Sequence, residues 1–252
     1  MKNNTQKRSE VRSADFEAVD LSFSDPEWVK ITINFSRDEV AGASKLTQRE
    51  QLLCILSVLL GCQGMGTYRN MLQAALKSSL EPLAVKETVY QATAYLGIGR
   101  VYDFLVATNE VPEKCGVALP LAPQATVSAD TRFDDGLSKQ IALFGPDIEK
   151  QQTEAPALRR NVNRWLAANC FGDYYTRNGL NDQEREMISF CFILAQGGCE
   201  NQLRGHTAGN LLVGNDIAKL YSVVEQCLPY IGYPRALNAM NIIDDVSEQF
   251  TR

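Results

Sequence analysis

The chain has 252 residues, of which 45% are hydrophobic and 22% charged, and a formal net charge of −5. That length allows one large domain or two modest ones, with a core that needs neither disulfides nor metal to hold. The balance excludes a disordered chain, and the acidic excess leaves no global electrostatic footprint for nucleic acid.

The chain opens on a polar stretch from Met1 to Arg8 with no apolar segment behind it, so no secretory leader is expected. Residues 1–34 read as an N-terminal arm, mobile over its first part. Ile31–Thr32–Ile33 is the best strand candidate, and it is short. Thr47-x-x-Glu50 is a capping-box pattern ahead of an apolar run from Leu52 to Leu60. That run is apolar nearly all round, so its helix should be central and buried. A second helix carries Tyr68, Met71, Leu72, Ala75 and Leu76 at helical spacing. A third spans about Leu83 to Ala94 and stops at Gly97, and a fourth carries Val101, Tyr102, Leu105 and Val106.

Over residues 112–160 the composition shifts, with Pro112, Pro120, Pro123, Pro146 and Pro156. This reads as a connector with one short helix, Gly136 to Phe144, before a further helix from Leu158 to Cys170. The helical plan then recurs. Asn181 or Asp182 caps a run from Met187 to Ala195, and Gly197–Gly198 break it. The next helix runs from Cys199 to Val213. Asp216 caps a third, through Ile217, Leu220 and Val224, and Tyr233–Pro234 opens a fourth, with Pro where a missing N–H costs nothing.

The recurrence has a register. Tyr95–Leu96–Gly97 falls under Tyr230–Ile231–Gly232 at an offset of 135, as do Leu76 under Leu211, Val101 under Ala236 and Leu105 under Met240. Arg49–Glu50 falls under Arg185–Glu186 at 136. The expected organisation is therefore all-α, with one repeat at 35–111, the connector at 112–160 and a second repeat at 161–252.

No run of about 18 apolar residues is present, so no membrane-spanning helix is expected. The seven cysteines are Cys54, Cys62, Cys115, Cys170, Cys191, Cys199 and Cys227. Their odd number, without any C-x-x-C, fits free thiols in a reducing cytoplasm. With a single histidine, the chain shows no metal-ligand spacing.

Five residues carry candidate chemistry. An unperturbed imidazole titrates near neutral pH, which makes His206 the natural general acid or base; the plainer alternative is a core imidazole bonded to a carbonyl. Cys199, just after two glycines in the first turn of its helix, should have its thiolate favoured by the helix N-terminus; most free cysteines are simply small buried hydrophobes. It lies two turns before His206, about 10 Å along the axis, so the two can face one pocket without touching. Glu186 opens a buried helix and either supports His206 or serves the helix end. Glu87 has Ser222 as its counterpart in the other repeat, and Met71 is the counterpart of His206. That asymmetry points to one working site per chain, in the second repeat, with Glu87 a possible contribution from the first. Arg204 could hold a substrate carboxylate or be a solvated surface charge.

Three segments together resemble the carboxymuconolactone decarboxylase family, which shares its fold with alkylhydroperoxidase D-like proteins. They are Gly179–Leu180–Asn181–Asp182 leading to Arg185–Glu186, Leu203–Arg204–Gly205–His206, and Pro229 to Pro234 with Leu237–Asn238–Ala239. The stretch Asn169 to Arg177 looks like the two-copy branch. The resemblance implies an all-helical fold that forms rings, no cofactor, and for a doubled chain a trimer with a pseudo-hexameric ring. The peroxidase pattern is a glutamate, then C-x-x-C, then a histidine. Cys199 and His206 match it, Glu186 matches with one residue of slippage, and Gln202 stands where the second cysteine belongs. The decarboxylase-like branch keeps Leu-Arg-x-His without the cysteine pair, as here. The resemblance thus implies a small lactone or related carboxylic acid as substrate. A thiol peroxidase using Cys199 and a non-catalytic ring-forming relative are the competing expectations.

Overall fold

The computed structural model describes residues 21–78, 80–114 and 117–250. The mobile part of the expected arm, over residues 1–20, lies outside them, as does Cys115. Among the described residues the regular structure is helical throughout, with no strand.

Helix α1 (Pro26–Ile33) runs on into a wider, π-helical segment, Asn34–Ala41. The strand expected at Ile31–Thr32–Ile33 is thus the end of α1. Thr32 bonds back to the carbonyls of Trp28 and Val29, at 2.9 and 3.1 Å, satisfying itself within a helical turn. Next come α2 (Gln48–Gly61), α3 (Met65–Lys77), α4 (Pro82–Leu96) and α5 (Ile98–Lys114). The 112–160 stretch is more structured than a connector with one helix: it holds α6 (Arg132–Phe144) and α7 (Asp147–Thr153). Helix α8 (Arg160–Trp165) again runs on into a π-helical segment, Leu166–Tyr175. The chain closes with α9 (Asp182–Gln196), α10 (Glu200–Leu212), α11 (Ile217–Ile231) and α12 (Tyr233–Phe250).

Local chemistry explains these boundaries. Thr47 caps α2 with Glu50 in a reciprocal capping box, and Asn181 rather than Asp182 does the same for α9 with Glu184. Asp216 caps α11 by accepting from the Lys219 amide at 2.7 Å. Both Tyr-x-Gly turns end a helix on a glycine in the left-handed region, Gly97 at φ 79° and Gly232 at φ 76°.

Helices α2 and α9 pack side by side at the centre, each buried along most of its length. Helix α4 packs against α9, and α11 packs against α2, so each half lends a helix to the other. The Arg49–Glu50 and Arg185–Glu186 pairs that mark the sequence register have different fates. Arg49 and Glu50 tie the halves together at the surface, through Glu184 at 2.6 Å and Lys219 at 2.5 Å. Arg185 and Glu186 are fully buried.

The crossing of α6 over the Leu166–Tyr175 segment is built on two glycines. A β-carbon on Gly136 would fall 2.0 Å from the Ala167 carbonyl oxygen, and one on Gly172 would fall 2.0 Å from that of Arg132. Backbone meets backbone there because neither position carries a side chain. This contact brings the C-terminal end of α6 onto the second half of the chain.

Candidate active site

His206 sits on α10, 9% exposed. Its Nδ1 lies 2.8 Å from Oε2 of Glu186, which projects from the neighbouring α9. Glu186 is 0% exposed, so a buried carboxylate faces the imidazole directly. Such a carboxylate needs further donors. Tyr175 supplies one, its hydroxyl donating to Oε1 at 2.9 Å. The Tyr175 oxygen lies 2.6 Å from Ser189 Oγ, which accepts in turn from Gln91 Nε2 at 2.8 Å. Gly209, one turn beyond His206, leaves room for the carboxylate: a β-carbon there would stand 2.5 Å from Oε2.

With Nδ1–H donating to Glu186, the other ring nitrogen is free for chemistry. Nε2 lies 3.3 Å from the hydroxyl of Tyr95, on α4, and that hydroxyl is 2.7 Å from Tyr175. Burial, with the Glu186 charge adding to it, pushes both tyrosine hydroxyls well above their ordinary range, so both stay protonated. The ring is also fixed by apolar contact, edge-to-face with Tyr95 and with Phe144, at 5.3 Å in each case. Asn210 locks the helix pair by donating to the carbonyls of Glu186 and His206, at 3.0 and 2.7 Å.

The imidazole opens onto a cavity of about 650 Å³. Tyr95, Gln140, Phe144, Cys170, Cys199 and Gln202 are among its walls. Its polar lining is largely amide, and among the described residues neither lysine nor arginine lines it. Gln140 is 4% exposed and its Oε1 has no hydrogen-bond partner among the described residues. Cys170 is buried, which pushes its thiol up to about 12. Among the described residues, no group of three or more His, Cys, Asp or Glu side chains could hold a metal ion.

Of the five residues expected to carry chemistry, three come together. Glu186 touches His206, and Cys199 lines the same cavity without a hydrogen bond to the ring. Cys199 is the N-cap of α10 and also borders a smaller hollow containing Arg235. The other two lie elsewhere. Glu87 does not approach His206: it is held by Arg177 at 2.9 Å, with Arg185 at 3.6 Å, because a fully buried carboxylate pairs with the nearest guanidinium. Arg204 does not line the cavity; it bonds Asp245 at 2.6 Å on the surface, since α10 turns it away from the face that carries His206.

Sequence reasoning missed Tyr95, Tyr175, Gln140, Phe144 and Cys170 as parts of the site. Tyr95 had a signal, its place in a repeated Tyr-x-Gly turn, but that signal spoke of helix ends. Gln140 and Phe144 had none, because they lie in the stretch read as a connector.

The model of the carboxymuconolactone decarboxylase family matches residues 160–245, from α8 through most of α12. No curated protein matches the chain.

Proposed function

For a chain whose residues 160–245 match the model of the carboxymuconolactone decarboxylase family, we propose a lyase that removes carbon dioxide from a small carboxylated lactone or related acid without a cofactor. The observation that carries this reading is the Glu186–His206–Tyr95 chain, ending at the cavity on an imidazole nitrogen. When the carbon–carboxyl bond breaks, its electron pair stays on the substrate and delocalises through the conjugated double bond into the lactone carbonyl. The carbanion equivalent must then take a proton. His206 delivers it from Nε2, and Glu186 stabilises the imidazolium that precedes delivery. Tyr95 holds Nε2 in line and, as a neutral hydroxyl, can donate to the enolate oxygen. A described lining with neither lysine nor arginine suits the first step, because a carboxylate that is not strongly stabilised in the ground state is more easily lost. Carbon dioxide release from 4-carboxymuconolactone by the wild-type protein tests the substrate; no turnover would reject it.

A second reading is a thiol peroxidase, favoured by Cys199 and Cys170 lining one cavity. The Cys199 thiolate would attack a hydroperoxide oxygen, the O–O bond would break, and an alcohol would leave. Cys170 would then displace water from the sulfenic acid to form a disulfide, which an external dithiol would reduce. The high pKa of the Cys170 thiol disfavours that second step, which places this reading behind the first. Alkylation of Cys199 across pH is the test. Reaction no faster than that of a free thiol with pKa about 8.5 removes the peroxidase.

The doubled organisation belongs to the same reading. Helix α3 recurs as α10 and α4 as α11, each 135 residues later and at equal length. The same offset relates exposed apolar residues: Ile98 and Tyr102 on α5 answer to Tyr233 and Leu237 on α12. On α1 and α8, one residue short of that offset, Trp28 and Ile31 answer to Val162 and Trp165, all more than half exposed. Equivalent apolar patches on two faces fit a closed ring of identical chains, here a trimer. Light scattering should give three times the chain mass, and Trp165→Glu should shift it toward monomer. A monomeric wild type would exclude the ring.

A further inference from the structure

Away from the His206 cavity, a second hollow of about 500 Å³ opens between α4, α5 and the stretch 119–123. Its buried member is Glu87, 1% exposed. Arg177 holds this carboxylate through three hydrogen bonds, with Nε at 3.1 and 2.9 Å and Nη2 at 2.9 Å. The Arg177 guanidinium lies over the Tyr90 ring, 5.0 Å from its centre. Nη1 of Arg177 is left without an acceptor among the described residues. Arg185 approaches the same carboxylate at 3.6 Å.

Lys86 also lines the hollow, half-buried, with its ammonium donating to Asn109 Oδ1. Among the described residues no carboxylate pairs with it. Two guanidiniums therefore share one carboxylate, and the Lys86 ammonium lines the same hollow, in a chain whose overall charge is −5. Burial pulls the Lys86 ammonium below its ordinary value, as expected for a cation short of counter-charge. The hollow also has an apolar lining, with Leu83 beside Glu87 on α4 and Leu119, Pro120 and Leu121 from the 119–123 stretch. At the corresponding positions of the second half stand Tyr221 and Ser222 in place of Lys86 and Glu87, so the charge cluster occurs once per chain.

We propose that this hollow binds a small organic carboxylate with an apolar ring or short chain, the carboxylate meeting Lys86 and the free edge of Arg177. An inorganic anion would use the cations and leave the apolar wall in contact with water. A neutral apolar molecule would leave the cations uncompensated. A carboxylate on an apolar body satisfies both walls.

Benzoate is the probe, titrated calorimetrically into the full chain. Wild type should bind it, and Lys86→Gln should weaken binding at least tenfold with an unchanged melting temperature. Ala122→Trp, placed on the exposed wall away from the ion cluster, should fill the hollow and abolish binding. His206→Asn should bind benzoate as wild type does. Inorganic phosphate should bind at least tenfold more weakly than benzoate. No binding to wild type overturns the proposal. So does binding that both Lys86→Gln and Ala122→Trp leave intact, or binding that is lost in His206→Asn, which would place benzoate in the other cavity. Phosphate binding as tight as benzoate overturns the apolar part of the assignment.

Discussion

Replacing His206 with Asn should lower kcat by roughly 10²–10⁴-fold on a turned-over lactone, with substrate affinity near wild type. Asn is the informative choice. Its amide nitrogen can stand where Nδ1 stands, 2.8 Å from Glu186, so the buried carboxylate keeps a donor and the fold is spared. What Asn cannot supply is the second nitrogen, which faces Tyr95 and the cavity. The variant therefore separates proton delivery from structural support. Carbon dioxide release measured at saturating substrate makes the comparison, with circular dichroism confirming the helical content. Equal rates in the two proteins would remove His206 from the chemistry. Tyr95→Phe should cost less, because it removes one hydroxyl from the chain but leaves the imidazole and its carboxylate in place.

Gly136→Val should be among the most destabilising single changes in the protein. Its β-carbon would fall 2.0 Å from one backbone oxygen and 2.5 Å from a backbone nitrogen, so no side-chain rotation can relieve it. Helix α6 would have to lift off the Leu166–Tyr175 segment. The loss should be about 4 kcal/mol, or roughly 10–15 °C in Tm for a chain of this size. Activity should fall further than stability explains, since α6 carries Phe144 against the imidazole and Gln140 into the cavity wall. Gly66→Ala is the control: a β-carbon there meets nothing within 4 Å, inside helix α3, and the change should be neutral or mildly stabilising. A melting temperature for Gly136→Val within 2–3 °C of wild type, on a scale of about 2–4 °C per kcal/mol, would show that the glycine crossing is not required.

Much of the architecture was legible before any coordinates. Thr47 with Glu50, Asp216, and the two Tyr-x-Gly turns announce helix ends through hydrogen bonds made within a few residues of chain. The nearly all-apolar run of α2 announces a buried centre. His206, Glu186 and Cys199 could be nominated for the same reason: on neighbouring helices whose periodicity is readable, residue type and spacing restrict which side chains can meet.

The remaining partners escaped because nothing local encodes them. Tyr95 reaches the imidazole across 111 positions of chain, since α4 packs on the other half's central helix. Phe144 and Gln140 arrive from a proline-rich stretch through a glycine contact that no periodicity reveals. Charges are the hardest case. Glu87 and Arg204 were as eligible by type as Glu186, yet each pairs with the opposite charge its own environment offers. Capping and burial patterns are short-range and survive in one dimension. Which buried carboxylate faces a histidine, and which faces an arginine, follows from helix packing, where desolvation forces every such group onto the nearest available partner.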